Sequence, residues 1–144
     1  MADEKRWMQQ AVADLAAAED SLKTRHFEWA CFRGQEAAEK ALKSFLYFKG
    51  RTSIISHSLV DLVREAERLD PSFAPLLGDA KHLDAFYIAT RYPNGLMSAD
   101  PPAKYFDQKD ATRCIQSARS ILTDCQRFVH PSSTGSSGLG SSST

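Results

Sequence analysis

Three polar side chains in the second half of the chain are spaced so that they could form one functional site. Asp84, Tyr87 and Arg91 stand at i, i+3 and i+7 in a segment with helical periodicity, and Pro93 follows them. In a helix this spacing places all three on one face, just before the proline ends the helix. An acid, a phenol and a guanidinium so arranged either tie a buried hydrogen-bond network together or direct Arg91 toward an anion.

A small basic cluster lies earlier in the chain. Lys40 and Lys43 share a predicted helix, and Lys49 and Arg51 follow it. In the plainer interpretation these are surface charges, with the two helical lysines paired to glutamates four residues before them.

The alternative interpretation joins the basic cluster to the stripe at the later helix end. Lys43, with Lys40 beside it, and Arg91 would line a groove that takes phosphate, while Tyr87 or Tyr92 would stack on a base. His57, at the start of a predicted helix, could be an anion contact or a proton carrier, or it could simply cap that helix. Asp84 would support this candidate ligand site.

We expect helices throughout the chain. Apolar residues recur with a 3.6-residue period almost everywhere, and no convincing alternating pattern indicates a strand. The expected helices cover about residues 4–23, 27–49, 58–69, 70–90 and 107–128. Their mostly short connections predict an all-α, up-and-down bundle of four long helices plus one short helix.

Local signals place the helix ends. Gly50 falls where a left-handed cap would end the second helix, and Ser58 should cap the third. Asp70 and Pro71 should begin the fourth helix. After Pro93 we expect an irregular loop of about a dozen residues.

Composition bounds the class of protein. The 144 residues carry 18 basic and 18 acidic side chains. This balance gives no overall field toward DNA or an anionic membrane, and no apolar run is long enough to span one. We expect one domain over residues 1–130 and a disordered Ser/Gly-rich tail over residues 131–144. Cys31, Cys114 and Cys125 should be buried free thiols in the cytoplasm.

Signatures of catalysis and cofactor binding are scarce. The sequence has no Gly-x-Ser-x-Gly elbow, no phosphate-binding Walker loop and no His-Glu-x-x-His. We therefore predict no catalytic residues, no metal ligands and no cofactor. A binding module is expected rather than an enzyme.

Several motifs, in order, resemble one known family. They are Trp7-x7-Leu15-x2-Ala18, Gln35-Glu-Ala-Ala-Glu-Lys-Ala-Leu-Lys43, His57-Ser58-Leu59 and Tyr87-x3-Arg91-Tyr92-Pro93. Together they are similar to the HEPN domain family (higher eukaryote and prokaryote nucleotide-binding), over about residues 5–129. The opening Arg6-Trp7 and the element Glu28-Trp29-Ala30-Cys31-Phe32 are most similar to the sacsin-like branch.

The resemblance implies a helical bundle that forms a homodimer and, in several branches, binds a nucleotide such as ATP or GTP. Other branches are ribonucleases with an Arg-x4-6-His motif near the fourth helix, in which the histidine is the base and the arginine holds phosphate. Here that position carries Arg91-Tyr92-Pro93 without a following histidine, and Arg51-x5-His57 lies before the third helix. This departure favours a non-nuclease member.

The sequence is compatible with three functions. The first is a non-catalytic dimerising module that binds a nucleotide or another phosphate-bearing ligand. The second is a metal-independent ribonuclease that uses Arg51 and His57. The third is a pure protein-interaction module, either an antitoxin-like partner of a nucleotidyltransferase or the dimerising end of a chaperone.

Overall fold

All regular structure in the described part of the chain is helical. The computed structural model describes residues 2–54, 56, 58–91 and 101–130. A 3-10 helix, Pro71–Leu76, precedes the fourth of six α-helices: α1 Ala2–Lys23, α2 Phe27–Phe48, α3 Leu59–Leu69, α4 Leu77–Arg91, α5 Pro102–Tyr105 and α6 Gln108–Gln126. The predicted all-α class is confirmed, with α1, α2, α4 and α6 as the long helices of the bundle.

The first two helices form an antiparallel hairpin. At its open end the Ser44 hydroxyl of α2 donates to the backbone carbonyl of Glu4 over 2.6 Å. At the closed end Arg25 adopts a φ of 65° and its N–H donates to the Leu22 carbonyl. This is a helix C-cap that usually carries glycine. The guanidinium of Arg25 lies 5.1 Å from the centre of the Phe27 ring.

The last long helix packs parallel to α2. A Cβ added to Gly34 of α2 would lie 3.4 Å from the Cys114 carbonyl oxygen of α6, and further along Phe45 lies 4.9 Å from Phe128, ring centre to ring centre. Cys31 and Cys114 are buried free thiols, as predicted. Their mutual hydrogen bond, together with burial, raises the pKa of Cys31 far above its ordinary value.

The fourth helix runs antiparallel to α6, and therefore also to α2. The Ser117 hydroxyl of α6 donates to Asp79 near the start of α4 over 2.9 Å. Toward the other end of α4, Phe86 lies 5.4 Å from Phe106, which precedes α6. This direction carries the last turn of α4, which ends at Arg91, toward the N-terminal half of α2.

The predicted start of the fourth helix needs a correction. Asp70 caps the segment as expected, since its carboxylate accepts the Ser72 N–H over 2.9 Å. The first six residues, however, form a 3-10 helix, and α4 begins only at Leu77. Pro75 supplies the reason, because a proline inside a helix has no N–H to donate and its ring crowds the carbonyl four residues earlier.

The segment between α4 and α6 is only partly described. The short helix α5 lies within the stretch predicted as an irregular loop. The α6 start follows its prediction: Asp107 accepts the Asp110 N–H, and Asp110 accepts the Asp107 N–H in return. Residues 131–144, the predicted tail, lie outside the described residues. Across the described ranges, no helix is both long and apolar enough to cross a membrane.

The Gly50 cap yields a stability prediction. Gly50 has a φ of 95°, and nothing lies within 4 Å of a Cβ built on it. Gly50→Ala should therefore lower the free energy of unfolding by about 1–2 kcal/mol, through backbone strain alone. Gly78→Ala is the matched control, since that α4 glycine is equally uncrowded and alanine is the better helix former. The same change in the free energy of unfolding for both variants, measured with urea, would contradict the assignment of a left-handed cap to Gly50.

Candidate ligand-binding site

The two predicted ligand lysines of α2 lie at the contact with α1. Lys40 Nζ lies 2.5 Å from Asp14 Oδ2 of α1, and Gln10 donates to the other oxygen of that carboxylate over 2.9 Å. Asp14 is buried, so this ion pair and amide satisfy a carboxylate inside the hairpin. The predicted surface partner of Lys40, a glutamate four residues before it, is paired instead with Arg33.

A shallow groove adjoins this ion pair. Its volume is about 300 Å³, and Arg6, Trp7, Gln10 and Lys40 line it. The indole of Trp7 is half-buried, so part of its surface borders this space. Lys40 therefore lies beside an aromatic ring at the edge of an open groove, where its ammonium could also meet a bound anion.

A polar stripe runs along a buried face of α2. Gln35, Glu39 and Lys43 stand at i, i+4 and i+8, so they line one side of the helix. Gln35 is 1% exposed and Lys43 is 5% exposed. Lys43 Nζ lies 2.9 Å from Glu39 Oε2 and 5.6 Å from the centre of the Trp7 ring. The predicted pairing of Lys43 is thus confirmed, but the pair lies inside the bundle rather than on its surface.

Gln35 is the residue of this stripe that sequence reasoning missed. Within the described part of the chain, neither its amide nitrogen nor its amide oxygen has a hydrogen-bond partner. An unpartnered buried amide costs about 1–3 kcal/mol, so such a group calls for an explanation. The spacing of three polar residues four apart, in a helix whose other positions are largely apolar, was the signal that could have identified it.

Asp84 has a definite structural role on α4. Its carboxylate accepts hydrogen bonds from the Ser58 hydroxyl over 3.0 Å, the Leu59 N–H over 2.9 Å and the Val60 N–H over 3.1 Å. The Ser58 hydroxyl also accepts the Asp61 N–H, as its predicted capping role requires. Asp84 therefore caps α3 from a neighbouring helix, where its charge also complements the helix dipole.

The remaining predicted ligand residues are described only in part. Tyr87 is half-buried on α4, about one turn after Asp84. Arg91 is the last residue of α4, and its side chain lies outside the description. Tyr92 and His57 also lie outside the described residues. The cap nevertheless brings Ser58, directly after His57, against the helix that carries Tyr87 and Arg91.

Arg51, the arginine of the ribonuclease hypothesis, has a carboxylate partner. Its Nη2 lies 2.5 Å from Glu65 Oε2 of α3. Arg68 contacts the other oxygen of the same carboxylate. Arg51 is thereby held against α3. In the described ranges no group of three or more histidine, cysteine, aspartate or glutamate side chains is placed to hold a metal ion.

His82 on α4 is a partly buried histidine. Its ring meets Phe86 edge-on at 5.0 Å, and among the described residues its Nε2 has no hydrogen-bond partner. Burial lowers the pKa of His82, and the nearby charge of Arg113 lowers it further, against opposing effects of Asp79 and Asp110. The folded state therefore favours the neutral imidazole.

This pKa direction predicts how stability depends on pH. Because the pKa of His82 in the folded state lies below its ordinary value of 6.5, protonation favours the unfolded chain. The stability that neutral His82 allows is therefore complete above pH 6.5 and is lost as the pH falls below that value. Urea unfolding at about pH 7.5 and about pH 5.5 should show a smaller acid-induced loss for His82→Gln than for the wild type. His130→Gln, at an exposed site, should keep the wild-type loss. Equal losses in all three proteins would exclude this effect.

The fold and the site define a small all-α bundle with a polar stripe in its interior. The chain belongs to the HEPN domain family, whose model matches residues 4–128. This confirms the family resemblance found in the sequence.

Several known proteins are similar to the chain. A Thermus thermophilus protein, TT1696, is 34% identical, with a TM-score of 0.81 over 90% of this chain and 100% of that one. ST0689, an archaeal HEPN homologue, is 33% identical, with a TM-score of 0.72 over 88% of this chain and 98% of its own.

Two further relatives differ in how much of their length the chain covers. The chain is 24% identical to "Putative toxin MJ1304" of Methanocaldococcus jannaschii over 132 residues, which is 87% of each protein. It is 26% identical to human sacsin over 128 residues, which cover 87% of this chain and 3% of sacsin. The chain thus spans nearly all of one relative and a small part of the other.

Proposed function

We propose that this chain is a non-catalytic, dimerising HEPN module that binds a nucleotide or another phosphate-bearing ligand. Arg91 would hold the phosphate, Tyr87 or Tyr92 would stack on a base, and Lys43 and Lys40 would add positive charge. His57 would contribute a further anion contact, and Asp84 would support the site by fixing the start of α3.

The observation that carries this proposal is the buried polar stripe of α2. A charged pair and an amide in a bundle interior reduce stability compared with apolar side chains of similar size. Their presence is therefore better explained by a function, such as ligand binding, than by a contribution to stability. Gln35 has two unused donors and an unused acceptor among the described residues, which suits recognition of the polar edge of a ligand.

The helix directions add support. The antiparallel course of α4 carries its last turn toward the half of α2 where Gln35 lies, so Arg91 and Tyr87 would lie toward the Gln35 end of the polar stripe. Lys43 lies two helical turns further along α2, away from that end. Asp84 holds α4 against the start of α3 and its N-cap, Ser58. A ligand site there would draw on three helices of one protomer.

The dimer in this proposal has a candidate contact on α2. Trp29 is 49% exposed. The centre of its ring lies 5.6 Å from the centre of the Phe32 ring and 5.9 Å from the Arg33 guanidinium. Tryptophan and arginine are typical of interface centres. The neighbouring Arg33 and Glu36 pair with each other within the chain and would have to exchange partners to pair across a two-fold axis in an isologous interface. We also propose that the module acts in the cytoplasm, where its buried thiols would stay reduced.

Isothermal titration calorimetry tests the ligand. ATP or GTP should release or absorb measurable heat with the wild-type protein, and Arg91→Ala should weaken binding at least about tenfold through loss of a charge-assisted contact. Arg119→Ala is the matched control, since that exposed arginine pairs with Glu19 at the α1 and α6 surface. Absence of heat from millimolar nucleotide in the wild type would refute the proposal.

One observation favours the second candidate, a metal-independent ribonuclease. It is the similarity to a protein named as a toxin, along most of both chains. That function would need Arg51 to leave Glu65 and hold an RNA phosphate beside His57. RNA cleavage by the wild type that disappears in His57→Ala, with the fold retained, would establish it. Cleavage at the same rate in His57→Ala would exclude it.

A further inference from the structure

A second charged groove lies between α3 and the segment that follows α2. Gly50 turns the chain, and the lining that follows consists of Arg51, Ser53, Ile54 and Ser56. The space between them is about 340 Å³, within the range of small-molecule sites. Its charged walls carry Arg51 on one side and Arg64 and Arg68 on the other.

The charges of this groove are unevenly paired. Glu65 is shared by Arg51 and Arg68, so one carboxylate is placed between two guanidinium groups. Asp61, the other acid of the lining, accepts a hydrogen bond from Ser56 over 3.2 Å. Arg64 is exposed and has no hydrogen-bond or ion-pair partner among the described residues. Three guanidinium groups thus face two carboxylates, in a chain whose net charge is zero.

We propose that this groove binds the phosphate group of a small phosphomonoester. Arg64 would supply an unpaired guanidinium, and Arg51 could turn from Glu65 to form a second charge-assisted contact from the opposite wall. The Ser53 hydroxyl borders the same space. Leu46 and Leu62 form an apolar part of the lining, which suits the carbon portion of an organic phosphate better than inorganic phosphate alone.

This site is separate from the one proposed around Arg91, since it uses none of the same residues. Its ligand contacts would come from α3 and from the chain after α2, whereas the first site uses α2 and the end of α4. Either proposal can therefore fail while the other stands.

Nuclear magnetic resonance titration of the full chain tests the groove. Inorganic phosphate and AMP should each shift the backbone amide signals of residues 51–56 and 61–68, while sodium chloride at the same ionic strength and adenosine should not. Tighter binding of AMP would identify an organic phosphate as the ligand class, and equal binding would show that the phosphate alone is recognised. Both results support the site.

Variants test whether phosphate binds in this groove or elsewhere on the molecule. Arg64→Gln should weaken phosphate binding about tenfold without unfolding the protein, because that side chain is exposed and unpaired among the described residues. Arg119→Gln and Arg91→Ala should leave the groove titration unchanged. The proposal is overturned if phosphate gives no more shift than sodium chloride, or if Arg64→Gln titrates like the wild type.

Discussion

Replacing Asp84 with alanine should lower the free energy of unfolding by about 2–4 kcal/mol. The carboxylate accepts three hydrogen bonds at the start of α3, from the Ser58 hydroxyl and from the N–H groups of Leu59 and Val60. Leu59 is fully buried, so its N–H would lose its partner where water has little access. Urea unfolding monitored by circular dichroism measures the change.

The control for this prediction is another aspartate near the same helix end. Asp61→Ala removes an exposed carboxylate that accepts a hydrogen bond from Ser56 but caps no backbone group of α3 in the described contacts. It should cost less than about 1 kcal/mol. The loss for Asp84→Asn should lie between those of the two alanine variants, since an amide oxygen can accept some of the same hydrogen bonds without the charge. If Asp84→Ala cost no more than Asp61→Ala, the cap would not contribute as described.

Lys43→Met is expected to have the second large effect, a loss of about 2–4 kcal/mol. The ammonium of Lys43 pairs with Glu39 inside the bundle, and its removal leaves a largely buried carboxylate without this partner. Because an apolar pair of similar volume needs no such compensation, the double variant Glu39→Leu with Lys43→Met should recover stability to within about 1 kcal/mol of the wild type.

The double variant also separates stability from function. If the pair is retained for ligand binding, the double variant should fold as stably as the wild type and still bind ATP or GTP at least about tenfold more weakly. A double variant that is stable and binds nucleotide with wild-type affinity would remove Lys43 from the proposed site. The matched comparison is Lys81→Met, at an exposed position of α4, which should alter neither property.

Much of the fold could be predicted because its determinants are local. The caps at Ser58 and Asp107 and the left-handed glycine at position 50 depend on residues within one helical turn of each other, so their chemistry is visible in the sequence. The 3-10 start before α4 was also encoded locally, by Pro75. It was missed because Asp70 and Pro71 alone already give a good helix start.

The site was harder to predict because its contacts cross the bundle. Lys40 meets Asp14, which lies 26 residues away, and its local glutamate is paired with Arg33 instead. Asp84 caps a helix that begins 25 residues before it in the chain. The burial of Gln35 depends on which face of α2 the neighbouring helices cover. Periodicity identifies an apolar face, but it does not show whether a polar residue at its edge lies inside or outside.

A crystal structure of the protein grown with millimolar ATP or GTP would show whether a nucleotide binds at Arg91. Nucleotide phosphate oxygens should lie within about 3 Å of the Arg91 guanidinium, at the end of α4 and beside the N-terminal half of α2. The base should contact Tyr87 or Tyr92. A nucleotide bound elsewhere, for example only in the groove of Arg51, Arg64 and Arg68, with no contact to α4, would contradict the proposed binding at Arg91.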